Sequence, residues 1–177
     1  MTKRITKIES TMMNEFTIQY LKNALKKLGI KEIPPNKAFS DHEFQDAMKA
    51  FGWKSGQAWC AYVAGLNVIQ TLTELGLTGA LTGFKKLFSA NSQRFFKNCA
   101  KSPYMPTGTT PKVGSIPIWR YKGITGHTGI AITEVGAKHF KCIEGNSKDS
   151  VREVKREIDD RDIMGYIYIG EAQWNLL

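Results

Sequence analysis

Three segments of the chain carry side chains that suit amide chemistry. In order they are Trp59-Cys60, Gly126-His127-Thr128-Gly129 and Glu144-Gly145-Asn146. A thiol becomes a nucleophile when a base takes its proton, and an imidazole serves as that base when a third group holds its tautomer. The order cysteine, histidine, carboxylate/amide supplies all three roles and points to a cysteine hydrolase.

Each candidate competes with an ordinary structural role. Cys60 is expected at the first turn of a helix, where free N–H groups and the positive dipole end favour an anion. Its own N–H is a candidate oxyanion donor, and Gln57, three residues earlier, is a second. Cys99 and Cys142 read as small buried residues. Among the histidines, His42 falls in a helix cap and His139 between Lys138 and Phe140. His127 opens a strand-like run between glycines that would leave space for a substrate. Glu144 and Asn146 are two apart, which in a strand puts both on one face. One would accept from the imidazole and the other would complete the network. Trp53, Trp59, Trp119 and Tyr121 are candidates to line a groove, with core packing the competing role for the tryptophans.

The elements that must position these groups follow from periodicity. Phe16, Tyr20, Leu21, Leu25 and Leu28 predict an amphipathic helix over about residues 9–29. Pro34-Pro35-Asn36 is a turn. Ser40 with Glu43 reads as a capping box opening a short helix through Phe51. A third helix is expected from about Ala58 to Leu75, and two shorter ones over Phe84–Phe88 and Asn91–Cys99. From Val113 the pattern changes to short runs rich in β-branched and aromatic residues: Ser115–Trp119, His127–Thr133, His139–Glu144 and Ile163–Ile169. Helices first and strands later predict an α+β fold, with N-terminal helices packed on a C-terminal antiparallel sheet.

With 177 residues and 42% hydrophobic content, the chain reads as a single domain (1–177) that needs no staples. Three cysteines argue against a disulfide framework. No zinc-type spacing occurs, and no metal or other cofactor is expected. No stretch approaches the roughly 20 apolar residues of a membrane helix. Met1 to Glu9 is basic without a following apolar region, so no secretory signal is expected. The net charge of +9 implies anionic company. The Lys and Arg residues are scattered and accompany no recognition motif, so a specific nucleic-acid site is not expected.

Together the motifs resemble the CHAP branch of the NlpC/P60-like cysteine peptidases, which cleave peptidoglycan. Gly56-Gln57-Ala58-Trp59-Cys60-Ala61-Tyr62-Val63 is similar to the nucleophile-helix motif. Lys112 to Trp119 is similar to the Gly-Asp-Ile strand, and Gly126 to Ile130 to the histidine strand. Ile143-Glu144-Gly145-Asn146 is similar to the terminal Glu/Asn motif, and Met164-Gly165-Tyr166-Ile167 to the closing strand.

The resemblance implies a papain-like fold with a catalytic core over 51–170 and a helical accessory segment over 1–50. It makes Cys60 the nucleophile, His127 the base, Glu144 its orienting group and Asn146 a second polar partner. The implied substrate is peptidoglycan, cut as an N-acetylmuramoyl-L-alanine amidase or a peptide endopeptidase. Ser115 stands where the family usually has a structural Asp. No acidic residue lies between Phe51 and Trp59, where some relatives hold calcium, so none is expected there.

A basic chain without an export signal suits a phage or prophage lysin, made in the cytoplasm and reaching the wall after release. It also suits an antibacterial effector delivered to a neighbour and matched by an immunity protein. Anionic cell-wall polymers are further expected partners. Rival readings are a silent phage structural protein of the same fold and an intracellular hydrolase acting on a small amide or lipid.

Overall fold

The computed structural model describes residues 14–133 and 138–177. The fold is α+β, with five α-helices among the described residues and antiparallel sheets. The helices are α1 (Glu15–Lys26), α2 (His42–Ala50), α3 (Cys60–Glu74), α4 (Ala80–Leu87) and α5 (Ser92–Ala100). The start of the predicted first helix, before Asn14, lies outside the described residues.

Helix α1 begins where Asn14 accepts a hydrogen bond from the Thr17 N–H at 2.9 Å, a side-chain cap for one orphan donor. It buries Phe16, Tyr20, Leu21 and Ala24 in the same core as Val63, Leu66, Val68 and Leu72 of α3. The segment expected to be accessory thus contributes to the principal core. Helix α2 is capped by Asp41, whose carboxylate accepts from the Phe44 N–H at 2.8 Å. Ser40, the expected cap, instead accepts from the Lys31 N–H. A carboxylate one residue later competes successfully because it reaches the N3 donor from a β-region backbone.

Between the first two helices lies a small hairpin, β1 (Glu32–Ile33) and β2 (Ala38–Phe39), closed by the expected Pro34-Pro35-Asn36 turn. Strands β3 (Thr107–Gly108), β4 (Ile116–Arg120), β5 (Gly126–Thr128) and β9 (Ile163–Ile167) form one sheet in the order β3-β9-β4-β5. Strands β6 (Ile130–Ala131), β7 (His139–Glu144) and β8 (Arg152–Glu157) form a second, in the order β6-β7-β8.

The expected single strand over His127–Thr133 is divided. Residues before Gly129 pair with β4 and those after it pair with β7. Gly129 permits the transfer: a Cβ there would lie 2.7 Å from Glu144 Cγ and 2.9 Å from the Ile143 carbonyl oxygen.

Alternation along the strands separates two cores. Ile116, Ile118, Ile130, Ile143 and Ile167 face the helices, while Trp119, Ala131, Phe140, Cys142 and Tyr166 form a second cluster drawn from both sheets. The candidate site lies where the two sheets meet the start of α3.

Candidate active site

Cys60 is the first residue of α3. The preceding N-cap position is Trp59, which has no oxygen on its side chain and makes no side-chain cap. The first-turn N–H groups are therefore left for another acceptor, and the dipole end beside the sulfur is unscreened by a cap. Trp59 is fully buried. Its indole N–H donates to Glu32 of β1, and its ring meets Phe39 of β2 edge-on at 4.9 Å. The first hairpin thus fixes where α3 begins. Gly145 passes the same place closely: a Cβ there would lie 2.5 Å from Val63 Cγ2 and 2.9 Å from the Trp59 ring.

His127 sits on β5 directly opposite Trp119 of β4. Its Nε2 is 2.8 Å from Glu144 Oε2, and the imidazole lies close enough to Cys60 for the two to interact electrostatically. With Nε2 committed to Glu144, Nδ1 is the nitrogen left for the thiol. Burial works against the imidazolium, yet the favourable interactions with Cys60 and Glu144 outweigh it and raise the pKa from 6.5 to about 9. Glu144 is fully buried. Burial pushes its carboxyl up, but hydrogen bonds from His127 and Arg156 win and hold it below its ordinary range.

The structure therefore brings Cys60, His127 and Glu144 together. Asn146 does not join them. Strand β7 ends at Glu144, and Asn146 lies beyond it with φ of 57° in the left-handed region. The two-residue spacing no longer places both side chains on one face, because the backbone between them has left the strand. Among the described residues no hydrogen bond ties Asn146 to the dyad. The second polar partner is Arg156 of β8, whose Nε and Nη2 donate to the two Glu144 oxygens at 2.6 and 2.7 Å.

Arg156 escaped the sequence reading. Burial alternates with period two along Arg152–Glu157, but both faces carry charge, so the usual apolar/polar signature of a strand is missing from the sequence. Glu32 was missed for a related reason: a lone acid in a two-residue strand gives no motif.

Three of the groove-lining assignments, Trp53, Trp59 and Trp119, are corrected. Trp53 is 2% exposed and Trp59 0%, so neither lines an open groove. Trp53 donates its indole N–H to the Gln57 carbonyl at 2.9 Å, which shapes the loop ahead of Cys60. Trp119 is equally buried and backs the His127 ring at a centroid distance of 5.9 Å. Tyr121 is 41% exposed and lies near Arg156, beside the site.

Gln57 is exposed. Its side-chain oxygen accepts from the Lys54 N–H at 2.9 Å and the Tyr62 hydroxyl at 3.3 Å, which leaves the amide NH2 as its outward donor. The glycines flanking His127 serve packing rather than substrate access. A Cβ on Gly126 would lie 2.6 Å from Ser92 Oγ and from the Trp119 carbonyl oxygen.

Ser115 is buried and closes a turn, donating to the Lys112 carbonyl at 2.6 Å and accepting from the Lys112 N–H at 3.2 Å. Cys99 and Cys142 are fully buried. Burial pushes the Cys99 thiol up to about 12 and the Cys142 thiol well above its ordinary value. Among the described residues no group of three His, Cys, Asp or Glu side chains is arranged to hold a metal ion, and no helix is long and apolar enough to cross a membrane.

A cysteine at an uncapped helix start, an imidazole close to it and a buried carboxylate behind the imidazole together can run acyl transfer through a thioester. Comparison with protein-family models gives no match, and comparison with curated proteins gives none either.

Proposed function

We propose that this chain is a cysteine amide hydrolase of the papain-like NlpC/P60 type, acting on the stem peptide of peptidoglycan. The observation that carries the reading is the juxtaposition of Cys60, His127 and Glu144, with Cys60 at the uncapped first turn of α3. The motif resemblance supplies the substrate class. The net charge of +9 supports adsorption to an anionic wall after release of a lysin from the cell that makes it.

The chemistry follows from the groups in contact. His127 Nδ1 takes the Cys60 proton, and the sulfur attacks the amide carbonyl carbon. The oxyanion is received by the Cys60 N–H at the helix start, with the Gln57 amide as a second donor. Glu144 holds the ring orientation and the positive charge that develops on it. His127 then protonates the leaving amine as the C–N bond breaks, giving a thioester. Water, deprotonated by the same imidazole, attacks the thioester and returns the thiol with release of the carboxylic acid.

Purified protein incubated with peptidoglycan sacculi is expected to release new amino groups. Mass spectrometry of the fragments identifies the bond as sugar–peptide or peptide–peptide. Cys60→Ala is expected to abolish release; a Cys60→Ala protein that works at the wild-type rate sinks the proposal.

A further inference from the structure

Arg156 has no role in the chemistry just described, yet it is the most heavily engaged cation near it. Its guanidinium forks both oxygens of a carboxylate that has no solvent exposure. A fork of this kind sets the plane of the carboxylate as well as its charge. The guanidinium carbon lies 4.5 Å from the centroid of the Trp119 ring, and that ring packs against His127 on a neighbouring strand. Trp119 is in turn pinned, its indole N–H donating to Asp160 at 3.0 Å. Arg156 stands opposite Phe140 in the β7–β8 register, so its side chain runs along the sheet face to reach Glu144. A surface-directed arginine would have solvent as an easier course.

The geometry points to Arg156 as a positioning residue of the dyad: it locks the Glu144 carboxylate in the plane that meets His127 Nε2, and its charge restrains how strongly Glu144 holds the imidazolium. The inference rests on the reading of Cys60 and His127 as a catalytic pair. The other titratable groups facing this cluster are Tyr121 after β4, Cys142 on β7 and Asp160 after β8. Cys60 faces it from α3. A buried carboxylate shared by two cations is a weaker partner to each than one devoted to a single cation. Removing the guanidinium leaves the full carboxylate charge to His127 and frees the carboxylate to rotate.

The test uses the full chain with Arg156→Gln and Arg156→Lys, and it has a readout that needs no substrate. NMR titration of the His127 ring is expected to give a midpoint about one pH unit higher in Arg156→Gln than in wild type. Arg156→Lys, which keeps the charge and loses the fork, is expected to stay within about half a unit of wild type. On peptidoglycan, both variants are expected to lose roughly ten- to a hundredfold in kcat with little change in KM.

A His127 midpoint that stays in place or falls in Arg156→Gln overturns the inference. So does unchanged kcat alongside a lowered Tm, which would make Arg156 a fold-stabilising residue only. If the wild-type protein does not turn over peptidoglycan, the functional reading fails by itself, and the titration still decides the role of Arg156.

Discussion

Glu144 Oε2 lies 2.8 Å from His127 Nε2 while the same carboxylate is forked by Arg156. One buried acid thus serves two cations, and the protonation of His127 depends on how the acid divides itself between them.

The pH response of stability follows from that pair. The folded-state pKa of His127, about 9, lies above its ordinary 6.5. Its contribution is therefore fully present below pH 6.5 and lost as pH rises through about 9. Glu144 is held below its ordinary 4.5, so its contribution is present above that value and lost as pH falls through the lowered one. Melting curves from pH 4 to pH 10 should show Tm falling on the alkaline side between these two His127 values. Glu144→Gln removes the partner and strands Arg156, so Tm drops throughout, and the alkaline slope should flatten. An unchanged slope in Glu144→Gln would show that the carboxylate does not hold the imidazolium. Activity of this variant should fall on the order of a hundredfold or more, since a neutral amide orients the ring less well.

The three cysteines differ enough to be told apart by alkylation. Cys60 retains 7% exposure and lies near His127, whereas Cys99 and Cys142 are fully buried. Burial also keeps the latter two as thiols, with Cys99 pushed up to about 12. Native protein treated with iodoacetamide at neutral pH should take one label, mapped to Cys60, and His127→Ala should slow the reaction. Comparable labelling of Cys99 or Cys142 in folded protein would contradict this ordering.

Gly129 offers a test of the carboxylate's placement that leaves every polar group intact. An added methyl would sit 2.7 Å from Glu144 Cγ and 2.9 Å from the Ile143 carbonyl oxygen. Gly129→Ala is expected to push Glu144 out of line with His127, at a stability cost of about 1–3 kcal/mol typical of overpacking. The kcat loss should approach that of Glu144→Gln, while Cys60 remains alkylatable. Full kcat in Gly129→Ala would mean that the position of Glu144 is not critical.

Much of the architecture was legible in the residues themselves. Helix α1 was visible from Phe16, Tyr20, Leu21 and Leu25, because a 3.6-residue period of apolar groups needs one buried face. Strand β7 was read with its observed bounds, His139 to Glu144. Cys60 was legible as a helix-start residue, since local backbone geometry and dipole follow from the chain alone. The sheet change at Gly129 was not legible: an apolar run of this kind reads the same whether one partner strand or two receive it. Strand β8 was hidden because its half-buried face carries Arg152 and Arg156 on either side of a single apolar residue, Val154.

By itself, then, the sequence determined which side chains were available and which lay at the ends of regular elements: a thiol at a helix start, an imidazole and an acid on strands. Those are local properties, set by periodicity, caps and turns. The tertiary structure decided which of them meet. It chose Glu144 over Asn146 because β7 ends between them, and it brought Arg156 across from β8 to complete the carboxylate. It also withdrew Trp53 and Trp59 into the core, where they fix the loop and the helix start instead of lining a groove. Those outcomes depend on strand register and on the packing of distant segments, and neither is encoded in the spacing of neighbouring residues.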